Sequence, residues 1–388
     1  MPYHLLALTL LQVSRPAALL SPAIRAGDYL YVSGQDARTA DGRLPSAFER
    51  QVEQAIDNLK VLVEKDGLTL EHVVYTHVYL EDIDKLETLN RVYARYFPEA
   101  PPARAVLGVA KLPGTAVVIE AVAVRSLSQK RVVSVPGFPP GGPESPGVLT
   151  HDRMFLSAVR GEQGSPAARV DSALDGLQRV LDAAGLSMGH LVFVNPYLTT
   201  EIPLEVMNDR YARRFEFGNT PARATIRVES LPGGASIAYT GVAVRDLEKR
   251  LAVRPKNMAP SPTASPCVFA GETLYCSAKS GFIPGPQSGI YAATVTHQLR
   301  QTMRNLLDGL EEAGMDFSHV VAARLYLDDL ADYPAVDEVY REYLGAIPPA
   351  LTIVQQERPV ERRWHDGKGR YPTLEQISLI AVKRAAER

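Results

Sequence analysis

Two arginines stand in near-copies of one phrase. Arg104 lies in PPARAVLGVAKLPG, and Arg223 lies in TPARATIRVESLPGG, 119 residues further on (223 − 104). A guanidinium forks onto a carboxylate through two parallel N–H bonds, so either arginine is a candidate carboxylate anchor. Glu120 stands sixteen residues after Arg104, beyond the LPG turn. A carboxylate there can hold a water and move its proton. A third version of the phrase, PPALTIVQQERP, carries Leu351 where the arginine should be. The plainer alternatives are a surface ion pair for each arginine and a solvent-facing strand residue for Glu120.

The elements that must position these residues also recur. Asp28-Tyr29-Leu30-Tyr31-Val32-Ser33-Gly34 returns as Asp152-Arg153-Met154-Phe155-Leu156-Ser157-Ala158 and again as Glu272-Thr273-Leu274-Tyr275-Cys276-Ser277-Ala278. Each time a turn-like pair precedes an apolar strand that ends in serine and a small residue. Repetition on this scale decides the fold before any single motif does. A helix follows in each copy, with an apolar stripe at spacings of three and four. The stripes are Phe48, Val52, Ala55, Leu59 and Leu62, then Val170, Leu174, Leu177, Leu181 and Ala184, then Val295, Leu299, Met303, Leu306 and Leu310. Gly67, Gly185 and Gly314 stop the three helices in the C′ manner. Next come β-rich runs, EHVVYTHVYLED, GHLVFVNPYLTT and SHVVAARLYLDD. Short helices, the PAR strand and a partner strand complete each unit.

The fold class is therefore α/β, of the α+β kind, in three units spanning 1–128, 129–250 and 251–388. Pro/Gly/Ser-rich connectors at 135–147 and 254–266 separate them. Packing around a pseudo-threefold axis would bury sheet faces that one unit alone leaves exposed. A string of three independent domains is the alternative.

Composition is that of an ordinary globular chain: 388 residues, 46% hydrophobic, 22% charged and a net charge of −2. Such a charge gives no reason to expect a nucleic acid or an anionic membrane as partner. The N-terminal run MPYHLLALTLLQV lacks a basic lead and reads as a buried strand. No run reaches the length of a membrane span, and the expected location is cytoplasmic. Cys267 and Cys276 would face each other across a hairpin turning at Gly271-Glu272; a disulfide is conceivable, and two reduced thiols are the expectation. His72, His190 and His319 share one repeat position, which suggests structure and not catalysis. No P-loop, nucleophile elbow or Rossmann fingerprint is present.

YVSGQ, LNRVYARYF and PPARAVLGVAKLPGTAVVIEAVAV together resemble the RidA (YjgF) family, the reactive intermediate imine deaminases. The resemblance covers most of the first unit, is weaker in the second, and is one of layout in the third. It implies a chorismate-mutase-like fold and a trimer with a cleft at each interface, here fused into one pseudo-trimeric chain. It further implies hydrolysis of an enamine or imine acid to a keto acid and ammonia, with no metal and no cofactor. The implied partner is a small imino, enamino or other carboxylic acid. Further oligomerisation stays open, as does a catalytically silent carboxylate or protein binder, or a related hydrolase or lyase using the same cleft.

Carried onto this chain, the resemblance makes Arg104 the carboxylate anchor and Glu120 the holder of the attacking water. Ser33, Gly34 and Asn90 would line the same cleft. Ser157, Asn208 and Arg223 keep the pattern in the second unit, with Thr240 in place of the glutamate. The third unit has Leu351, Ser378 and Asp337 for the arginine, glutamate and asparagine. The family's cleft tyrosine falls at about Leu20 and its cysteine at Val106. One full site with Arg104 and Glu120, and one partial site with Arg223, are expected. Trp364 and His365, in an insertion replacing the LPG turn, read as a surface loop and alternatively as a lid.

Overall fold

Each recurring phrase becomes the same kind of element, with the PAR strand of the second unit broken into two short pieces. The computed structural model describes residues 19–136, 143–256, 258–284, 289–362 and 371–384. The N-terminal run read as a strand, and Trp364 and His365, lie outside them. The first unit holds β1 (Ala23–Ala26), β2 (Tyr29–Gln35), α1 (Phe48–Lys65), β3 (Val73–Leu80), α2 (Leu86–Tyr96), β4 (Ala103–Gly108) and β5 (Val117–Val124). The second holds β6 (Arg131–Val133), β7 (Gly147–Leu149), β8 (Arg153–Arg160), α3 (Pro166–Asp182), β9 (Leu191–Leu198), α4 (Leu204–Ala212), β10 (Ala222–Arg223), β11 (Ile226–Arg227) and β12 (Ile237–Val244). The third holds β13 (Arg250–Val253), β14 (Cys267–Ala270), β15 (Thr273–Lys279), α5 (Val295–Glu312), β16 (Val320–Leu327), α6 (Tyr333–Tyr340), β17 (Ala350–Gln355) and β18 (Glu375–Val382).

Three sheets result, in the orders β1-β2-β5-β3-β4, β10-β9-β12-β8-β7-β6 with β11 also on β9, and β13-β14-β15-β18-β16-β17. In each, the PAR strand runs parallel to the strand of the HVV-type phrase, and the other pairings are antiparallel. The long helices pack their apolar stripes on their own sheets. Val52, Ile56, Leu59 and Val63 of α1 sit in one core with Val78 and Ile119. Gly67, Gly185 and Gly314 end these helices at φ of 75°, 73° and 71°, where a side chain would be strained.

The opposite sheet faces meet in the middle. One core cluster draws Tyr75 and Tyr79 from the first unit, Phe193 and Tyr197 from the second, and Tyr275 and Tyr326 from the third. All eight residues of β3 and of β9 are buried, which is the pattern of strands covered on both faces. A shared core of this kind replaces the string-of-domains alternative with a pseudo-trimer. Backbone bridges stitch neighbouring units: Gly108 with Ser230, and Lys111 with Gln355. A Cβ on Gly108 would lie 2.0 Å from Ser230 Oγ and 3.1 Å from the Ser230 carbonyl, so a side chain there would displace the serine hydroxyl and crowd the bridge.

The hairpin of β14 and β15 pairs Cys267 with Cys276 as the spacing predicts. Contrary to the expectation of reduced thiols, the two are joined in a disulfide. Directly opposed positions on neighbouring antiparallel strands bring the sulfurs within bonding reach, and this proximity outweighs the expectation drawn from a reducing compartment.

Candidate anion clefts between the units

Three Ser-Pro pairs set the geometry of the interfaces. Ser145, in the connector, donates from its backbone N–H to the Pro102 carbonyl at 3.2 Å. Ser265 makes the same bond to Pro221 at 3.2 Å, and Ser21 to Pro349 at 3.0 Å. Each serine hydroxyl also donates one residue further back, to Pro101, Thr220 or Pro348. The connector residue before each serine therefore sits beside the residue two places after the clamped proline. These pairs are Glu144 with Arg104, Ala264 with Arg223, and Leu20 with Leu351. The strand-end serines follow suit. Ser157 Oγ accepts from the Arg104 backbone N–H at 2.7 Å, and Ser277 Oγ accepts from that of Arg223 at 2.8 Å.

The cleft between the first and second units has a volume of about 270 Å³. Arg104 and Asn90 come from one side, Ala158 and Ala238 from the other, with Val106 and Leu231 as apolar walls. Arg104 is only 3% exposed. Its Nη2 donates to Asn90 Oδ1 at 2.8 Å, and its guanidinium lies 4.7 Å from the centre of the Tyr93 ring. Its Nε donates to Glu144 Oε2 at 2.9 Å, and Nη2 reaches the same oxygen. Nη1 is buried with no hydrogen-bond partner among the described residues. Glu144 was not among the residues singled out from the sequence.

Glu120 is not in this cleft. The structure therefore does not assemble the expected site of Arg104 with Glu120. The reason is topological. β4 presents Arg104 to the second unit, whereas β5 presents Glu120 to the third. Ser33 lies with Glu120, and a Cβ on Gly34 would meet Thr352 of the third unit. Asn90 alone of the first-unit set stays with Arg104. The register pairs His77 with Glu120, Asn195 with Thr240 and Arg324 with Ser378, so Thr240 and Ser378 are the counterparts of Glu120 in the other two units. The Thr240 hydroxyl is occupied by the Leu156 carbonyl.

Glu120 is instead part of the axis. Its Oε1 pairs with Arg324 Nε, its Oε2 accepts from Thr352 Oγ1, and His77 Nδ1 lies 3.2 Å away. His77 Nε2 in turn meets the Tyr197 hydroxyl at 3.0 Å. Burial alone would push the Glu120 carboxyl up; the Arg324 guanidinium, with His77 and Thr352 as donors, outweighs it and holds the group at about 2. So acidic a carboxyl, with both oxygens engaged, is a poor base near neutral pH. The cavity beside it is about 30 Å³, room for a water or two and too small for an organic acid.

Arg223 keeps its asparagine but has no acid beside it among the described residues. Nη1 donates to Asn208 Oδ1 at 2.7 Å, and the guanidinium stands 5.1 Å from the Tyr211 ring centre. Nε and Nη2 have no hydrogen-bond partner among the described residues, and the residue is half-buried. Burial pushes its guanidinium below the ordinary range, with no carboxylate to oppose that. At the third interface, Leu351 and Leu20 belong to one apolar cluster.

Three residues escaped the sequence reading. Glu144 was visible as the variable residue of a third repeated word, LSP, ESP and ASP. His77 and Arg324 share one position of the HVV-type strands, and a charge amid apolar neighbours needs a partner. The shared histidines cap short turns: Thr69, Ser187 and Asp316 donate backbone N–H to His72, His190 and His319 Nδ1 at 3.0, 3.1 and 3.1 Å. Among the described residues, no helix is long and apolar enough to cross a membrane, and no group of three or more His, Cys, Asp or Glu could hold a metal.

Fold and interfaces define a fused pseudo-trimer of α+β units with an arginine, Arg104 or Arg223, at two of its seams. The sequence pattern of the endoribonuclease L-PSP family matches residues 12–125, 157–244 and 256–361, and the chain belongs to that family, which is the RidA (YjgF) family. A RutC family protein of Pyrococcus horikoshii is 35% identical over 115 residues, 29% of this chain and 90% of the relative. One from Aquifex aeolicus is 37% identical over 114 residues, 28% of this chain and 91% of the relative. The crystal structure of the Escherichia coli YjgF gene product is 33% identical and covers 29% of this chain and 93% of its own, with a TM-score of 0.28. A chorismatase crystal structure covers 80% of this chain and 93% of its own with a TM-score of 0.56 at 14% identity, a likeness of fold.

Proposed function

We propose that this protein binds small carboxylic acids, of the imino, enamino and oxo acid class, at an arginine-bearing interface between its units. One observation carries the reading. Arg223 is a half-buried guanidinium at a unit interface, with two nitrogens free of partners and no acid beside it among the described residues. Burying a cation without a counter-charge is costly, and an anionic ligand offsets that cost. Nε and Nη2 form the edge that takes a carboxylate bidentately, while Asn208 fixes the plane of the group.

Hydrolytic deamination of an imine or enamine acid is the second reading, favoured by family membership and by Glu144, a carboxylate inside the Arg104 cleft. It is weakened by the engagement of that carboxylate with Arg104 itself, and of Glu120 with Arg324. Calorimetric titration with 2-oxobutanoate and with butan-2-one, its analogue without the carboxylate, tests the main reading. Binding of the acid alone, weakened by salt, is expected. Equal binding of both, or of neither, contradicts it. Imines generated by an amino-acid oxidase and trapped with semicarbazide test the second reading: turnover above buffer would restore deamination.

A further inference from the structure

We infer that Glu144 is an internal ligand: the first connector carries its own carboxylate into the Arg104 cleft and occupies the docking edge of that guanidinium, leaving the free edge of Arg223 at the second seam as the open anion site. The inference rests on the carboxylate-binding reading above and goes beyond it by assigning the two clefts different states.

The two interfaces are built alike. Each arginine has an asparagine from the short helix, a tyrosine ring under the guanidinium, and a strand-end serine of the next unit on its backbone N–H. Each connector is pinned by its Ser-Pro pair to the same backbone carbonyls. They differ at the residue before the serine, Glu144 against Ala264.

The consequence is stereochemical. Glu144 Oε2 takes both Nε and Nη2 of Arg104, the edge on which an incoming carboxylate would dock. The same edge of Arg223 is unoccupied by any described residue, and Ala264 offers no acceptor to fill it. Exposure follows: Arg104 is 3% exposed, and Arg223 half-buried. A tethered carboxylate competes at an effective concentration in the millimolar range or above for a short link, so a weak external acid does not displace it.

Fusion makes this possible. Three identical chains would carry the same residue at every connector, whereas one chain can hold glutamate, alanine and leucine at the three seams. Leu20 against Leu351 closes the third by apolar contact, and Glu144 closes the first by charge.

The test is the number of 2-oxobutanoate molecules bound per chain, by calorimetry, in four proteins. Wild type is expected to bind one. Glu144→Ala, which copies the second connector into the first, is expected to bind two. Ala264→Glu, which copies the first into the second, is expected to bind none while leaving every arginine in place. Arg223→Gln is also expected to bind none, and because the Glu144→Ala result is a gain, misfolding cannot mimic it. Binding that survives in Arg223→Gln, or an unchanged single equivalent in Glu144→Ala, overturns the inference while leaving carboxylate binding intact. Absence of binding in wild type and in Glu144→Ala alike overturns the carboxylate reading itself.

Discussion

Glu120 of the first unit and Arg324 of the third form an ion pair at the pseudo-threefold axis, the glutamate buried and the arginine partly so, with Thr352 and His77 completing the shell around the carboxylate. Two charges taken out of water are stable only as long as both are present. Glu120→Ala leaves the partly buried Arg324 without its partner, and a loss of up to roughly 3 kcal/mol, the low end for broken buried pairs, is expected. Arg324→Met should cost a similar amount. The double variant should cost much less than the sum, because neither charge is then stranded. Denaturant unfolding of the four proteins measures this; additive losses would mean that the pair is not coupled.

Glu375 gives a pH signature. It is fully buried at the start of β18, with Thr302 Oγ1 donating to Oε1 at 2.5 Å and Oε2 without a hydrogen-bond partner among the described residues. Burial pushes its carboxyl up from 4.5 to about 8, against the opposing hydrogen bonds from Thr302 and the Gly281 backbone. The folded protein therefore binds a proton that the unfolded chain releases. The stability from this group is complete below about 4.5, declines as pH rises, and is gone above about 8. Glu375→Gln removes that dependence. Denaturation midpoints should fall for wild type relative to the glutamine variant across this window; parallel curves would contradict the assignment.

Much of this fold was legible in the sequence. Ser33, Ser157 and Ser277 mark equivalent strands, and Gly67, Gly185 and Gly314 mark equivalent helix ends, because periodicity and turn chemistry are local properties. The site was legible only in part. Arg104 and Glu120 are sixteen residues apart on strands of one sheet, which invites placing them in one cleft. Which neighbouring unit each strand faces depends on the threefold closure, and that is not a local property. Asn90 travelled with Arg104 because α2 and β4 belong to the same side of one unit. Glu144 was hidden in a Pro/Gly-rich connector whose composition reads as mere linkage, although its Ser-Pro clamp repeats.

The disulfide between Cys267 and Cys276 closes a short loop within one hairpin, with a sequence separation of 9. Chain-entropy arguments give about 2–3 kcal/mol for a loop of that size. Oxidised protein should show no free thiol after denaturation, and reduction should lower the Tm by several degrees, with β14 and β15 loosening first. Two titratable thiols in protein purified without reductant would contradict the pairing.

The division of labour between Arg223 and Glu120 is the point on which function turns. The most direct measurement is 2-oxobutanoate binding to Glu120→Gln, a substitution that keeps the shape of the side chain, run beside wild type and Arg223→Gln at a denaturant-free temperature where all three are folded. Glu120→Gln is expected to bind with unchanged affinity and unchanged stoichiometry while unfolding more easily, and Arg223→Gln is expected to lose binding. A folded Glu120→Gln protein that no longer binds the acid would contradict the separation of the two residues into different interfaces, and with it the reading of Glu120 as part of the axis.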